Sequence, residues 1–387
     1  MIISLADRLK EVKTYYFVKK LEQIRALQKE GKDVINFGIG SPDLPPSREA
    51  IDALIDTSTS PDSHGYQPYK GLPELRESIE SWYLNTYGVD LDSHKEILPL
   101  MGSKEGILHI TLAFCNPGDK VLIPDPGYPT YASLPKLLGC DVVKYNLKED
   151  HNWYPDFDEL NKMDTTDVKI MFVNYPHMPT GTPAKMEVFE KLVAFAREKK
   201  ILLVHDNPYS LVLNKAKPVS IFQVEGAMDV AVELNSFSKS HNMAGWRIGV
   251  LLGAEEYVNA ALKVKSNIDS GMYKGLQTAA IAALNVEEFW HEQRNDIYAE
   301  RRNGIFKILD YLGFEYSKEQ EGMFVWAKPK EVLGVDAITG YIDKLLFEKN
   351  IFITPGFIFG ENGSEYIRLS LCVPAKKVEE AYQRLLS

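Results

Sequence analysis

Residues 230–240 read Val-Ala-Val-Glu-Leu-Asn-Ser-Phe-Ser-Lys-Ser and place Lys239 shortly after a predicted strand over Val230 to Leu234. A second apolar run, Ile201 to His205, ends in Asp206 in the same way. Through the middle of the chain such runs alternate with helical stretches, which is typical of a mainly parallel sheet flanked by helices. Open sheets of this kind bind ligands beyond the carboxyl ends of their strands, so the side chains there are the first functional candidates.

Six segments have the composition of strands in one sheet. They are Lys120 to Pro124, Asp141 to Tyr145, Lys169 to Asn174, Ile201 to His205, Val230 to Leu234 and Arg247 to Leu252. The alternation stops near Gly275, and residues 276–312 are predicted to form one or two long helices. The remainder predicts a smaller α+β unit. Its strands are expected at 323–326, 351–353 and 366–369, and its last helix at 375–386.

The composition indicates a globular protein of enzyme size. The chain has 387 residues, of which 45% are hydrophobic, and a length beyond about 250 to 300 residues favours two lobes. Its 44 Lys plus Arg against 54 Asp plus Glu give a net charge of −10, which argues against a general nucleic-acid binder. No apolar run approaches the roughly 20 residues of a membrane helix. Three scattered cysteines and a charged N-terminus predict a cytoplasmic protein without a metal site.

Two stretches are candidate anion sites. Met101 to Gly106 precedes an apolar helical stretch, where free backbone N–H groups and the Ser103 hydroxyl can hold an anion. Taken alone, this motif favours an ordinary helix N-cap. The second candidate has hydroxyls on both sides of Lys239, with Arg247 eight residues further on.

Four single residues each have a functional and an ordinary interpretation. Lys239 is either a solvated surface lysine or a desolvated amine whose lowered pKa suits nucleophilic use. Asp206 is either an N-cap or the counter-ion of a buried cation. Tyr128 is either a stacking platform or an ordinary core aromatic. Arg368 is either a fork for a carboxylate or a charge on an edge strand.

Together these residues supply a lysine for a Schiff base, donors for a phosphate, an acid for a pyridinium nitrogen, an aromatic ring and an arginine for a carboxylate. That combination of side chains fits a binding site for pyridoxal 5′-phosphate (PLP). The chain also resembles class I/II PLP-dependent aminotransferases of fold type I, near the aspartate and LL-diaminopimelate aminotransferase subgroup, over nearly its whole length. The matching segments are residues 38–43, 66–71, 102–104, 206–209, 236–239, 245–249 and 366–370.

The resemblance implies an α/β fold with two domains. A large PLP-binding domain, residues 47–280, would hold a mainly parallel seven-stranded sheet flanked by helices. A smaller α+β domain would combine residues 1–46 and 281–387. The implied activity is transfer of the amino group of an L-amino acid to a 2-oxo acid by a ping-pong mechanism. The implied assembly is a homodimer with a shared active site.

The same resemblance assigns roles to individual residues. Lys239 would form the internal aldimine with PLP and shuttle the proton. Asp206 would pair with the pyridine nitrogen, Tyr209 would donate to the ring O3′ oxygen, and Tyr128 would stack on the ring. The phosphate would be held by Ser103, Lys104, Ser236, Ser238 and Arg247, with Tyr66 reaching in from the partner subunit. The substrate residues would be Arg368, which binds the α-carboxylate, and Gly40, with Tyr16 as a further candidate.

One position departs from the family pattern. Met178, in the stretch 174–181, stands where the family has an asparagine that donates to O3′, and a thioether cannot donate. We expect Tyr209 to be the main donor here and the aldimine pKa to be raised, with drift at a tolerant position as the alternative.

The resemblance leaves the exact reaction and the substrate open. A C–S β-lyase or a non-catalytic PLP-binding protein would share this scaffold. Lys274 lies in the stretch 266–275, which by position should approach the partner's active site. It is a candidate partner for a distal substrate carboxylate, and the alternative is a solvated lysine.

Overall fold

The computed structural model describes residues 3–9, 16–331 and 334–387. Its helices are α1 (Tyr16–Lys29), α2 (Arg48–Thr59), α3 (Pro73–Tyr87), α4 (Ser103–Phe114), α5 (Thr130–Leu137), α6 (Phe157–Lys162), α7 (Met186–Lys199), α8 (Phe237–Ser240), α9 (Glu255–Lys265), α10 (Lys274–Leu284), α11 (Glu288–Leu312), α12 (Val335–Lys349) and α13 (Ala375–Leu386). Its strands are β1 (Ile35–Asn36), β2 (Ile97–Leu100), β3 (Lys120–Asp125), β4 (Asp141–Asn146), β5 (Val168–Val173), β6 (Leu202–Asn207), β7 (Ala231–Ser236), β8 (Gly249–Gly253), β9 (Phe314–Tyr316), β10 (Phe324–Pro329), β11 (Ile351–Phe352), β12 (Thr354–Pro355) and β13 (Ile367–Ser370).

The largest sheet has seven strands in the order β2-β8-β7-β6-β5-β3-β4. Strand β8 is antiparallel to both of its neighbours, and the other pairs are parallel. The prediction of a mainly parallel sheet flanked by helices is therefore confirmed. All six predicted strands are present, within one or two residues of the expected bounds. Strand β2 was not predicted. It contains Pro99, a residue that is unfavourable in a central strand, and it lies at the sheet edge, where proline is tolerated.

The two central strands are buried along their whole length although they contain charged residues. His205 of β6 and Glu233 of β7 pair inside the protein, with 2.8 Å between His205 Nδ1 and Glu233 Oε2. The Tyr83 hydroxyl donates to the other Glu233 oxygen at 2.7 Å. Because these polar groups satisfy one another, the strands stay in the core. Their carboxyl ends carry Asp206 on β6 and, just after β7, Lys239 in the short helix α8.

A second sheet lies in the C-terminal part of the chain. It is antiparallel, in the order β12-β13-β10-β9, and Arg368 on β13 is paired with Trp326 on β10. Strand β1, near the N-terminus, pairs in parallel with β11. One hydrophobic cluster combines residues 24–37 with residues 298–385 and also includes Met178, Tyr209, Val212 and Leu213, so both chain ends share a core that packs against the middle of the chain. Among the described residues, no helix is long and apolar enough to span a bilayer.

Candidate functional site

A cavity of about 750 Å³ contains the ends of β6 and β7, the start of α4 and the Arg368 side chain. Twelve of the predicted site residues line it: Tyr16, Gly40, Ser103, Lys104, Tyr128, Asp206, Tyr209, Ser236, Ser238, Lys239, Arg247 and Arg368. Tyr66 does not line the cavity of its own chain, and its side chain is 92% exposed. Its role in a partner subunit stays a prediction.

Lys239 is held in the cavity by burial and by one backbone contact. Its Nζ donates to the backbone carbonyl of Gly40. Burial, together with the nearby Arg368 and Arg247, lowers the pKa of Lys239 to about 8 against an opposing effect of Cys372. Near neutral pH a much larger fraction of this amine is neutral and nucleophilic than of a solvated lysine with a pKa of 10.5.

Asp206 is a buried carboxylate with one oxygen in use. The Tyr131 hydroxyl donates to Oδ2 at 2.6 Å, while Oδ1 has no hydrogen-bond partner among the described residues. Burial raises the pKa of Asp206 to about 6, although Tyr131 and His205 act in the opposite direction. A buried carboxylate oxygen without a donor is costly, so this position fits a cationic N–H such as a protonated pyridine ring.

The start of α4 forms an anion-binding turn together with Arg247. Gly102 precedes the helix with a φ of +86°, and a Cβ at this position would collide with the Arg247 guanidinium. A Cβ on Gly249 would lie 2.6 Å from the Ser103 backbone nitrogen. The two glycines therefore allow an arginine, a helix N-terminus and the Ser103 hydroxyl to converge. This set of donors fits a phosphate dianion.

Arg368 is sandwiched between two aromatic rings. Its guanidinium carbon lies 3.9 Å from the centroid of Phe324 and 4.5 Å from that of Phe359. Its Nη2 donates to the Gly38 carbonyl at 3.0 Å, and its Nε has no partner among the described residues. Burial lowers the pKa of Arg368 to about 10, against an opposing effect of Tyr209, so the group remains a cation at neutral pH. A planar, fixed guanidinium suits bidentate binding of a carboxylate.

Two tyrosines and one glycine are further members of the predicted set. Tyr128 contacts Tyr131 edge to face, with 5.5 Å between ring centroids. Burial raises the pKa of the Tyr209 phenol, which therefore stays protonated and able to donate. A Cβ on Gly40 would overlap the ring of Phe324, so only glycine fits beside that ring.

The departure at Met178 lies inside the cavity. The Met178 side chain is buried, and its Sδ is 3.4 Å from Arg368 Nη1. The neighbouring Asn174 also lines the cavity, where its Nδ2 donates to the Asp206 carbonyl at 2.6 Å and its Oδ1 accepts from the Met178 backbone N–H. Lys274 does not line this cavity, and its Nζ lies 3.4 Å from Asp62.

Sequence reasoning missed two residues of this site. Tyr131 is three residues after Tyr128 in the first turn of α5, so helical spacing from a candidate aromatic was the available signal. Asn174 directly follows β5, at the same sheet edge as Asp206. That position at a strand end was the signal for Asn174.

Comparison with known proteins adds independent findings. A family model described as aminotransferase class I and II matches residues 32–385. The chain is 39% identical to an LL-diaminopimelate aminotransferase from Halothermothrix orenii, with 98% of this chain and 97% of that protein covered. A protein of the same name from Aquifex aeolicus is also 39% identical, with 99% of each covered. The substrate-bound structure of BacF from Bacillus subtilis superposes with a TM-score of 0.93 at 33% identity, covering 99% of this chain and 97% of that one.

Proposed function

The chain belongs to the class I and II aminotransferases, which are PLP-dependent enzymes of fold type I, and from this premise we propose which of its residues perform the transfer. The reaction moves the amino group of an amino acid to a 2-oxo acid. The observation that carries the proposal is the arrangement of Lys239 and Asp206 at the ends of neighbouring strands, in one cavity with Arg368.

When bound, PLP supplies an electron sink for the electron pair left by the substrate Cα–H bond. Lys239 takes the proton from the substrate Cα and delivers it to the cofactor carbon C4′. This role suits an amine with a pKa of about 8. Asp206 holds the proton on the ring nitrogen through its free oxygen. Arg368 fixes the substrate α-carboxylate, and Tyr209 donates to the ring O3′ oxygen.

The remaining residues hold the cofactor in place. The phosphate is bound by Ser103, Lys104, Ser236, Ser238 and Arg247. Tyr128 stacks on the ring, and Gly40 lines the substrate side, where its backbone carbonyl accepts from Lys239. The convergence of cations on this cavity in a protein of net charge −10 supports binding of a phosphate and a carboxylate.

Replacement of Lys239 tests the central role. Lys239→Ala should lose the visible absorbance of the holoenzyme and all but a trace of turnover, while the exposed Lys217→Ala should match the wild type. Full turnover in Lys239→Ala would overturn the assignment. A parallel incubation with cystathionine, without any oxo acid, separates a β-lyase from an aminotransferase, because only the lyase releases pyruvate.

For the substrate, LL-diaminopimelate is the first candidate, since curated relatives at 36% to 39% identity carry that name. A second candidate is a large apolar amino acid, because part of the cavity wall is apolar. That wall comprises Phe17, Val18, Ile39, Ile358 and Phe359. Loss of the holoenzyme absorbance on addition of each amino acid alone discriminates the two. Reaction with phenylalanine and leucine but not with LL-diaminopimelate would select the second candidate.

The assembly, the location and the domain limits are part of the same proposal. A homodimer is supported by the exposed Tyr66, which would complete the partner's phosphate site. A cytoplasmic location is supported by the free thiols of Cys115, Cys140 and Cys372. The division into residues 47–280 and the two chain ends is supported by the hydrophobic cluster that both ends share.

A further inference from the structure

A buried group of charged side chains lies beside the anion-binding turn but outside the cavity. Glu105 and His109 are one helical turn apart on α4, with 3.0 Å between Glu105 Oε1 and His109 Nε2, and among the described residues neither ring nitrogen of His109 has a hydrogen-bond partner. Lys265, the last residue of α9, donates from Nζ to both carboxylate oxygens of Asp269, at 2.9 and 2.8 Å. The side chains of His109 and Lys265 are 0% and 2% exposed. We call these four residues the charged cluster.

The charged cluster has side-chain atoms that can ligate a metal ion, but it already contains a cation, the Lys265 ammonium. Oxygen and nitrogen atoms of Glu105, His109 and Asp269 lie within 4.8 Å of one another, which is the spacing of a metal site. The ammonium of Lys265 occupies both Asp269 oxygens, however. A divalent ion would lie beside that buried positive charge, and the repulsion disfavours it. The arrangement is that of two local pairs, Glu105–His109 on α4 and Lys265–Asp269 at the end of α9, which meet where the Glu105 and Asp269 carboxyl groups approach each other.

The cluster connects the anion-binding turn with a distant loop. Glu105 Oε2 accepts from the Met101 backbone N–H at 2.6 Å, which fixes the turn immediately before Ser103. Asp269 Oδ1 accepts from the Gly271 N–H at 2.8 Å. Gly271 has a φ of +87° and packs against the Gln67 carbonyl so closely that a Cβ would collide with it. The Glu105 and Asp269 carboxyl oxygens lie within 4.8 Å of each other, and this approach connects the turn at 101–104 with the loop at 266–271 and the segment next to Tyr66.

We propose that Glu105, His109, Lys265 and Asp269 are positioning residues that hold the turn at 101–104 in its anion-binding conformation and thereby raise the affinity of the chain for the phosphate ester of PLP. A turn that is ordered before binding loses less entropy when it takes up the phosphate. None of the four residues lines the cavity, so they act through the backbone of the turn. The inference rests on the proposed placement of the phosphate at this turn.

Comparison of PLP with pyridoxal, which lacks the phosphate, tests the proposal. Apoprotein is titrated with each compound and binding is followed by the visible absorbance. Asp269→Asn should raise the Kd for PLP about tenfold, a loss comparable to one strong hydrogen bond, and leave the Kd for pyridoxal within about twofold. Glu105→Ala, which removes the acceptor for Met101, should act in the same direction and serves if Asp269→Asn does not fold. The exposed Glu256→Gln on α9 is the matched control and should change neither value.

The outcomes separate this inference from the proposed function. Equal increases for both compounds, or no increase for PLP, would show that the charged cluster has no specific effect on the phosphate and would overturn the inference. Ser103→Ala provides the check on the premise, because it removes a proposed phosphate donor. If Ser103→Ala weakens PLP selectively while Asp269→Asn does not, the inference alone fails. If Ser103→Ala has no selective effect, the proposed phosphate placement fails and the inference fails with it.

Discussion

The Tyr131 hydroxyl donates to Asp206 Oδ2 at 2.6 Å, while Oδ1 of the same buried carboxylate has no hydrogen-bond partner within residues 3–9, 16–331 and 334–387. Tyr131 is buried and packs flat against Phe172, with 4.9 Å between ring centroids and 5° between ring planes. Its position is therefore set by the core of the large sheet. A neutral donor on Oδ2 orients the carboxylate without neutralising it, so that Oδ1 can still pair with a cationic partner in the cavity.

Removal of that donor should weaken catalysis. In Tyr131→Phe, Asp206 loses the hydrogen bond that lowers its pKa, so its carboxylate becomes a less stable partner for a protonated ring nitrogen. We expect kcat/KM to fall about tenfold, consistent with one hydrogen bond to a charged group. Tyr145→Phe is the matched control, because its buried hydroxyl donates only to the Phe172 carbonyl, at 2.8 Å. An unchanged kcat/KM in Tyr131→Phe would contradict the role of Tyr131.

The stability of the apoprotein should depend on pH through Asp206. Its folded-state pKa of about 6 lies above the ordinary value of 3.8, so its contribution to stability is present below 3.8 and is lost as the pH rises through 6. Asp206→Asn removes the cost of the buried charge. The apo variant should therefore exceed the wild type in stability by up to about 3 kcal/mol at pH 8 and lose that advantage toward pH 4.

Thermal denaturation of apoprotein between pH 4 and pH 8 measures this difference. The exposed Asp90→Asn should not reproduce it. A constant difference between Asp206→Asn and wild type across the range would contradict the raised pKa.

Capture of PLP by the apoprotein should follow the ionisation of Lys239. Only the neutral amine attacks a carbonyl carbon, and burial lowers its pKa from 10.5 to about 8. The rate constant for appearance of the visible absorbance should rise with pH and reach half its maximum near pH 8. A midpoint near pH 10 would mean that Lys239 behaves as a solvated lysine.

Met178→Asn tests the departure from the family pattern. The thioether offers no donor near the ring oxygen, whereas an amide at this position would supply one. The pH midpoint of the cofactor's visible absorbance in the holoenzyme should therefore be lower in Met178→Asn than in wild type. Met178→Leu, which keeps the volume and also lacks a donor, should match the wild type. Indistinguishable midpoints for all three proteins would favour drift at a tolerant position.

Arg368→Lys tests recognition of the substrate carboxylate. Lysine keeps the positive charge but loses the planar fork and the contact with the rings of Phe324 and Phe359. We expect KM for the amino acid to rise roughly 10- to 100-fold, as for loss of one charge-assisted bidentate contact, with PLP affinity unchanged. Steady-state kinetics and a PLP titration measure the two quantities. A rise in the Kd for PLP as large as the rise in KM would instead indicate a general disturbance of the cavity.

The sequence predicted the structure best at the two strands that are buried on both faces, β6 and β7. The runs that became β6 and β7 are apolar enough to predict strands, and their polar ends predicted Asp206 and Lys239 as neighbours at one edge. Arg368 was predicted from its strand and from the resemblance. These features depend on local pattern, which a single sequence contains.

The features that were missed depend on contacts between distant segments. Tyr131 matters because its hydroxyl meets Asp206, which lies 75 residues away. The charged cluster joins α4 to the end of α9, and no spacing rule connects Glu105 with Asp269. Strand β2 contains Pro99, and only the sheet order shows that this strand is at an edge, where proline is tolerated. Such relationships follow from tertiary packing.

The contacts of Gly38 and Gly40 also constrain how the enzyme matures. The carbonyl of Gly40 accepts from Lys239, 199 residues later, and the carbonyl of Gly38 accepts from Arg368, 330 residues later. Synthesis proceeds from the N-terminus, so a chain still attached to the ribosome has made the PLP lysine long before the substrate arginine. The substrate side of the cavity can therefore form only after residue 368 has been synthesised and has packed against the segment at Gly38.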